Sequence, residues 1–295
     1  MRGLVFAVCV CAVAQASYVG SEACKACHPA EFERQSRSHH ALALRPINDS
    51  PLRGSGSGVE WAFGAGAQGI TPVGRVGGQY FEGQLSHYTR LHGMATTFGH
   101  PPAVKLGLLQ DNKTITHCFN CHATDVRASP DGPDLRAMQP GVQCERCHGP
   151  GGAHIAAAKA QKEPAAIRRE VLNPGRLGAA AQAQVCGECH RIAAPDAGDE
   201  PELENPVTVR FAPVGLMASR CFRESKTLAC VTCHDPHENA RPRTDASYNR
   251  QCVACHSAGK SRAHVSAGGD CLTCHMKQAS LGPYLRFTDH RIRVY

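Results

Sequence analysis

The chain has 295 residues, a formal net charge of +7, 17 Cys and 17 His, but only 5% aromatic residues. Cysteine at this frequency excludes an ordinary reduced cytosolic enzyme, and the composition also excludes low-complexity disorder, collagen and a multi-span membrane protein. Because aromatic side chains supply the largest buried areas, their scarcity predicts that something other than side chains fills much of the core.

The first residues have the pattern of a secretory signal peptide. Residues 1–2 form a short basic start, residues 4–13 are apolar, and residues 14–16 form an A-x-A cleavage site. The apolar run has about half of the roughly 20 residues that a transmembrane anchor needs. We therefore expect removal of residues 1–16 as a signal peptide, which leaves a mature protein that is periplasmic or otherwise exported.

The next elements in the chain are a predicted helix over residues 29–44 and a Gly-rich segment over residues 51–116. Within the Gly-rich segment, β-branched or aromatic residues stand between turn signals. These runs predict short strands at residues 59–63, 78–85 and 104–109.

Further helices are predicted at residues 152–162 and 179–189. The expected fold class is therefore mainly α, with little regular structure and a few short strands in the Gly-rich segment. We expect one domain over residues 17–295, divided into a first segment at 17–50, a β-containing insertion at 51–116 and a third region at 117–295.

Seven C-x-x-C pairs occur along the chain, and a His directly follows each pair. We number these motifs 1 to 7 in chain order. The paired cysteines are Cys24 and Cys27, Cys118 and Cys121, Cys144 and Cys147, Cys186 and Cys189, Cys230 and Cys233, Cys252 and Cys255, and Cys271 and Cys274. The histidines that follow them are His28, His122, His148, His190, His234, His256 and His275.

C-x-x-C-H is the attachment motif of c-type haem. Its two thiols form thioethers with the two vinyl groups of the porphyrin, and the adjacent imidazole becomes the proximal ligand of the iron. Zinc sites, redox dithiols and disulfides also use C-x-x-C pairs, but none of them requires His at the next position. We therefore predict seven covalently bound c-type haems, and we expect the stacked haems to form the core of the domain.

The distal iron ligands must come from outside the motifs. Ten histidines lie there: His39, His40, His87, His92, His100, His117, His154, His237, His264 and His290. Met is scarce, so bis-His ligation is the default prediction, which favours low-potential electron transfer. His87 and His92 are the first candidates for a non-ligating role. His237 lies too close in sequence to its own motif to reach across that haem, so as a ligand it would serve a different one.

Several further stretches are distinctive: Y-V-G-S-E-A-C-K-A-C-H-P, S-H-H-A-L-A-L, C-E-R-C-H-G-P-G-G-A-H, S-R-C-F before L-A-C-V-T-C-H-D-P-H, and C-L-T-C-H-M-K before F-T-D-H-R-I. Together they resemble one family of multihaem c-type cytochromes, the family related to hydroxylamine oxidoreductase and to its tetrahaem electron-carrier partner. The resemblance is strong from Cys118 onward and loose through the Gly-rich segment. It implies distal-ligand roles for His40, His154, His237, His264 and His290, with His100 as a weaker match.

Two function classes remain open at this point. The first is an exported protein that transfers single electrons between a redox donor and a redox acceptor through closely packed, mostly bis-His haems. The second is an oxidoreductase that acts on a small nitrogen compound, nitrite or hydroxylamine, at one five-coordinate haem. Nitrite reductases of this broad kind often use a C-x-x-C-K motif, which this chain lacks, so we favour electron transfer and assign no catalytic residue.

The positive charge does not indicate a nucleic-acid partner, because the ionised propionates of seven haems would offset it. The expected partners are redox proteins, and peripheral association with a membrane complex is compatible with the sequence. Cys221 is the one cysteine after the signal that belongs to no motif. We expect it to be a buried, inert thiol beside the fifth haem.

Overall fold

The computed structural model describes residues 17–101, 107–191, 206–256 and 270–295. Of these residues, 39% are helical and 20% lie in strands, and seven of the strands form one antiparallel sheet. The prediction of a mainly α fold is therefore wrong. The predicted signal peptide, residues 1–16, lies outside the described residues.

The helices are short, and most of them carry or adjoin a motif. The α-helices of the described residues are α1 Pro29–Ser36, α2 Asn112–His122, α3 Cys144–His148, α4 Gly152–Lys159, α5 Pro164–Arg169, α6 Ala179–His190, α7 Ala212–Ala218, α8 Arg220–Glu224, α9 Cys230–Cys233, α10 Ala246–His256 and α11 Cys271–His275. Shorter 3-10 helices occur at Ser21–Cys24, Ile47–Asp49, Pro174–Arg176 and Pro206–Arg210. A helical turn places residues three apart on one face, so both cysteines of a C-x-x-C pair lie on the same side.

The large sheet is built from the Gly-rich segment. Its strands are β1 Leu44–Pro46, β2 Val59–Phe63, β3 Gly69–Val76, β4 Gln79–Gly83, β5 Leu85–Tyr88, β6 Gly93–Thr96 and β7 Gly107–Leu109. The order is β1-β2-β3-β4-β7, and β5 joins β3 to β6. A tight turn links β3 to β4, where Gly77 and Gly78 both have positive φ, as the two-residue turns of hairpins require.

Three two-stranded sheets complete the β structure of the described residues. Strand β8 Ala123–Thr124 pairs with β11 Gln139–Pro140, β9 Arg127–Ser129 with β10 Gly132–Asp134, and β12 Gln278–Leu281 with β13 Leu285–Thr288. The last of these hairpins leads directly into His290.

The sequence predicted three of the seven strands of the large sheet and missed the others. The strand predicted at 59–63 forms as β2, the one at 78–85 is shorter, and of the one at 104–109 only Gly107–Leu109 is described. The missed strand β3 contains Pro72 and Gly74, which indicate turns when judged locally. A Cβ at Gly74 would collide with the carbonyl oxygen of Gly58, so the glycine marks a close approach of two strands rather than a turn.

The predicted helices form, with different ends. The first ends at Ser36 instead of residue 44, the second ends at Lys159, and the third extends to His190. Glu163 is followed by the further helix α5, which begins at Pro164, a residue well suited to a first helical turn.

Large buried side chains are concentrated around the sheet. In one cluster, Phe119 of α2 is completely buried, and its ring packs edge-on against Trp61, Phe63 and Tyr80 at centroid distances of 5.9, 5.0 and 5.7 Å. A second cluster contains Ile47, Leu52, Ala62 and Ile70. Within the described residues, both clusters lie between residues 44 and 138. The described residues of the helical region that carries motifs 4 to 7 contain no comparable cluster of side chains.

No helix in the described part of the chain is long and apolar enough to cross a membrane.

Candidate functional site

Motif 2 is fixed to the sheet by its own residues. Phe119, between the two cysteines of the motif, is the centre of the aromatic cluster. At the end of α2, His122 donates from Nδ1 to the carbonyl oxygen of Ala43 at 3.0 Å. The sheet therefore determines the position and the ring orientation of the His122 imidazole.

Motifs 1 and 3 are held together by Glu145, a residue inside motif 3. Glu145 is only 3% exposed, and its carboxylate accepts hydrogen bonds from the backbone amides of Val19, Gly20 and Gly151. The Ser21 hydroxyl accepts a further bond from the Cys144 amide. This network docks the N-terminal segment, and with it motif 1, against motif 3.

Four histidines of the motifs face histidines from distant parts of the chain. The pairs are His28 with His154, His148 with His237, His190 with His40, and His234 with His290. Their ring centroids are 6.3, 6.1, 6.1 and 6.3 Å apart, respectively. In each pair the sequence-predicted proximal ligand meets a sequence-predicted distal candidate.

This spacing fits one metal ion between two imidazoles. A bond from a metal to an imidazole nitrogen is about 2 Å long, so two imidazoles on opposite sides of one ion have ring centroids about 6 Å apart. Direct van der Waals contact between imidazoles would not by itself produce the same separation in four separate pairs. The residues present therefore fit the haem iron that the motifs predict.

Each histidine that faces a motif also has its second nitrogen occupied. His154, His290 and His40 donate from Nδ1 to the backbone carbonyl oxygens of Ile167, Thr288 and Pro236 at 2.9, 3.0 and 3.1 Å. His237 donates from Nδ1 to the carboxylate of Asp235 at 2.9 Å. Because these oxygens can only accept, the proton is on Nδ1 and the lone pair of Nε2 is free. This is the tautomer of a metal-ligating His with an outer-shell partner.

Two further motif histidines show the same arrangement. His148 donates from Nδ1 to the Leu172 carbonyl oxygen at 2.8 Å, and His275 donates to that of Arg293 at 2.9 Å. With His122, three proximal candidates thus have Nδ1 hydrogen-bonded to a backbone carbonyl oxygen.

Burial favours the neutral form of several of these imidazoles. It lowers the pKa of His122, His148, His190 and His234 below the usual value. Burial also lowers the pKa of His290, to about 4. A neutral imidazole is the form that binds a metal, so the lowered pKa of these five histidines favours ligation.

Cysteines of different motifs also meet. The thiols of Cys24 and Cys144, of Cys121 and Cys189, and of Cys186 and Cys230 are close enough to influence each other's pKa, as are those of Cys252 and Cys271. Porphyrins attached at these positions would have neighbouring edges. Most motif cysteines are half-buried, whereas Cys27, Cys255 and Cys274 are exposed.

The remaining histidines are placed differently. His100 is buried, but its Nε2 is 3.1 Å from a carboxylate oxygen of Glu82, so the nitrogen that a metal would need already has a partner. His39, His92 and His117 are exposed. His87 lies in strand β5, where it is paired with Met94 of β6. His264 lies outside the described residues, and the structure shows no histidine ring opposite His122 or His256 in the described parts of the chain.

Sequence reasoning missed two residues that orient this arrangement. Asp235 holds His237 and also accepts a hydrogen bond from Arg34 at 2.7 Å. Arg146, inside motif 3, contacts residues of motifs 2 and 4. The variable positions within and after a C-x-x-C-H motif carry no general signal for such contacts, because the attachment chemistry does not depend on them.

Comparisons with known proteins agree with a cytochrome fold. Residues 86–149, which contain motifs 2 and 3, match the family described as cytochrome c554 and c-prime. No curated protein matches the chain. The structure is similar to that of the outer cell wall cytochrome OcwA, with a TM-score of 0.61 and 17% identity over 94% of this chain and 79% of the other.

A second similar structure is the undecahaem cytochrome from the S-layer of Carboxydothermus ferrireducens. It matches with a TM-score of 0.51 and 17% identity over 84% of this chain, and the match spans 44% of the undecahaem protein. The expected relation to hydroxylamine oxidoreductase is not among these findings. At this level of identity the two structures establish that the chain shares the fold of multihaem cytochromes.

Proposed function

We propose that the chain is an exported cytochrome with seven covalently bound c-type haems that transfers single electrons between redox proteins. The observation that carries this proposal is the set of four imidazole pairs, each with the spacing of two ligands on one iron. Bound haem supplies a one-electron redox couple at each iron.

The chain's own residues have separate tasks in this proposal. The fourteen motif cysteines attach the porphyrins, and the seven motif histidines are the proximal ligands. Four haems receive their distal ligand from another region: motif 1 from His154, motif 3 from His237, motif 4 from His40 and motif 5 from His290. We keep His264 as a distal candidate for one of the last two motifs. His100 remains the weakest candidate, because Glu82 occupies its Nε2.

Closed iron sites support electron transfer over catalysis. An iron with two imidazole ligands has no position for a substrate. Burial of His148, His190, His234 and His290 also restricts the access of water to these ligands. The contacts between cysteines of different motifs support the close packing of neighbouring haems that rapid electron transfer requires.

The proposed location is outside the cytoplasm. The signal-peptide pattern of residues 1–16 supports export, and so do the names of the two similar structures, which refer to an outer cell wall and to an S-layer. The proposed partners are a redox donor and a redox acceptor protein, without nucleic acid. Docking at the periphery of a membrane complex is compatible with this role.

Haem content tests the proposal first. We expect the intact mass of the mature holoprotein to correspond to seven haems, with Cys221 as the only thiol that alkylates after denaturation. A mass for six or fewer haems, together with further free thiols, would contradict it.

Electron transfer is tested next. The haem-loaded and reduced protein should be reoxidised completely by an added c-type cytochrome of higher potential, without any small-molecule acceptor. If the added cytochrome leaves the protein reduced and only a small molecule reoxidises it, the electron-transfer role is contradicted.

One observation favours a second candidate function, an oxidoreductase that acts on nitrite or hydroxylamine at one five-coordinate haem. Within the described residues, His122 faces no histidine, and its nearest ring is that of Phe63 at 5.1 Å. The Glu82 carboxylate interacts electrostatically with His122, and it is hydrogen-bonded to Nε2 of His100. Groups that can carry a proton therefore lie near motif 2.

Ligand binding separates the two functions. If one haem of the reduced protein binds carbon monoxide and the protein turns over nitrite or hydroxylamine, the second function replaces the first. Binding of carbon monoxide without turnover leaves electron transfer as the function, with one open iron. The variant His100→Ala is the matched probe, because it should change carbon monoxide binding only if the open iron is that of motif 2.

A further inference from the structure

We propose that Arg146 is a positioning residue that locks motifs 2, 3 and 4 into one junction and holds a positive charge beside their attachment cysteines. The inference rests on the proposed function, because it concerns how this side chain influences the haems attached there. Its consequence is that the reduction potentials of those three haems are higher than they would be without this charge.

The contacts of Arg146 come from three motifs at once. Arg146 itself stands between Cys144 and Cys147 of motif 3. Its Nη1 donates to the carboxylate of Glu188 in motif 4 at 2.7 Å, and its Nε donates to the carbonyl oxygen of Asn120 in motif 2 at 3.3 Å. These partners are 42 and 26 residues away in sequence. The planar guanidinium can serve several acceptors in fixed directions, which the ammonium of a lysine cannot do.

The attachment cysteines converge on the same place. Nη2 of Arg146 lies 3.6 Å from the Sγ atom of Cys189 in motif 4, and Arg146 is also an electrostatic neighbour of Cys121 in motif 2. Cys147 of motif 3 is also an electrostatic neighbour of Cys189. The Arg146 charge is therefore next to sulfur atoms through which three different haems would be attached.

The junction is enclosed enough for this charge to matter. The Arg146 side chain is 23% exposed, while the Glu188 side chain is 54% exposed and more open to screening by water. Arg191 adds a second positive charge nearby, which approaches His117 at 3.3 Å. An exposed ion pair would contribute little, but a largely buried cation with a partly hydrated counter-ion leaves net positive potential at the site. Positive potential stabilises the reduced form, because reduction adds an electron.

Two substitutions that change the local charge in opposite directions test the inference, and a third serves as the control. Arg146→Gln removes the positive charge, Glu188→Gln removes its counter-charge, and Arg75→Gln breaks the comparable Arg75–Glu60 pair on the sheet, whose atoms are 2.9 Å apart. The measurement is a potentiometric titration of the full haem-loaded protein by optical absorbance, after intact mass has confirmed the haem content.

We expect Arg146→Gln to lower the potentials of three haems by at least a tenfold change in their redox equilibrium, about 59 mV for a one-electron couple. Glu188→Gln should raise the potentials of the same three haems, and the titration curve of Arg75→Gln should overlay that of the wild type. The inference is overturned if Arg146→Gln overlays the wild type, if all haems shift equally, or if both junction variants shift in the same direction.

If the Arg146→Gln variant loses a haem, the titration of Glu188→Gln decides instead, because the exposed Glu188 is easier to replace without loss of the fold. Its upward shift supports the inference, and an unchanged curve overturns it. Failure of the wild type to carry seven haems would instead count against the proposed function, so the two failures remain distinguishable.

Discussion

Glu145 should be among the residues on which the stability of the folded chain depends most. The substitution Glu145→Ala removes a buried carboxylate that accepts from Val19, Gly20 and Gly151 at 2.9, 2.8 and 2.7 Å. Hydrogen bonds to a charged group contribute about 1.5–3 kcal/mol each, and a donor left unsatisfied adds a desolvation cost. Water can reach the freed N-terminal amides, so we expect a net loss of about 3–5 kcal/mol in the free energy of unfolding.

Thermal unfolding of the haem-loaded protein, followed by circular dichroism, measures this loss. For a domain of this size it corresponds to a decrease in Tm on the order of 10 °C. Glu33→Ala is the control, because its ion pair with Arg37 joins side chains that are 66% and 77% exposed and should contribute under about 1 kcal/mol. A Tm of Glu145→Ala within about 2 °C of that of the control would refute the reasoning.

Three other expectations concern ligands and processing. His290→Ala should convert one low-spin haem to high-spin without loss of any haem, whereas His117→Ala, at an exposed position, should leave magnetic and optical spectra unchanged; identical spectra of both variants would show that His290 is not a ligand. N-terminal sequencing of the exported protein should begin at Ser17, and a sequence that begins at Met1 would contradict cleavage after Ala16. Cys221→Ser should keep all seven haems and the wild-type redox titration, because burial raises the pKa of the Cys221 thiol and keeps it unreactive; a lost haem would assign Cys221 a role at iron.

The sequence alone predicts candidate residues for the site, but not their arrangement. The candidate attachment cysteines and proximal histidines follow from a local motif, because the attachment chemistry requires a fixed spacing. The partner of each proximal histidine does not follow, because His28 faces His154 and His190 faces His40 across long stretches of chain. Such pairs depend on how motifs pack against each other, and no local pattern encodes that packing.

The fold class was predicted incorrectly because the Gly-rich segment was judged by local propensity. Strand β3, with Pro72 and Gly74, pairs with β2, β4 and β5, and this pairing outweighs the turn signals in its sequence. Helix α1 ends at Ser36, and the chain then turns so that His40 can face motif 4. Both differences arise where tertiary contacts override the local pattern.

The spin states of the oxidised holoprotein test the central claim most directly, namely that each of the four imidazole pairs holds one iron. Electron paramagnetic resonance with spin quantification distinguishes low-spin iron with two imidazoles from high-spin iron with one. We predict that at least four of the seven haems are low-spin, with the haem of motif 2 as the first candidate for any high-spin signal. A spectrum in which more than three haems are high-spin would contradict the claim.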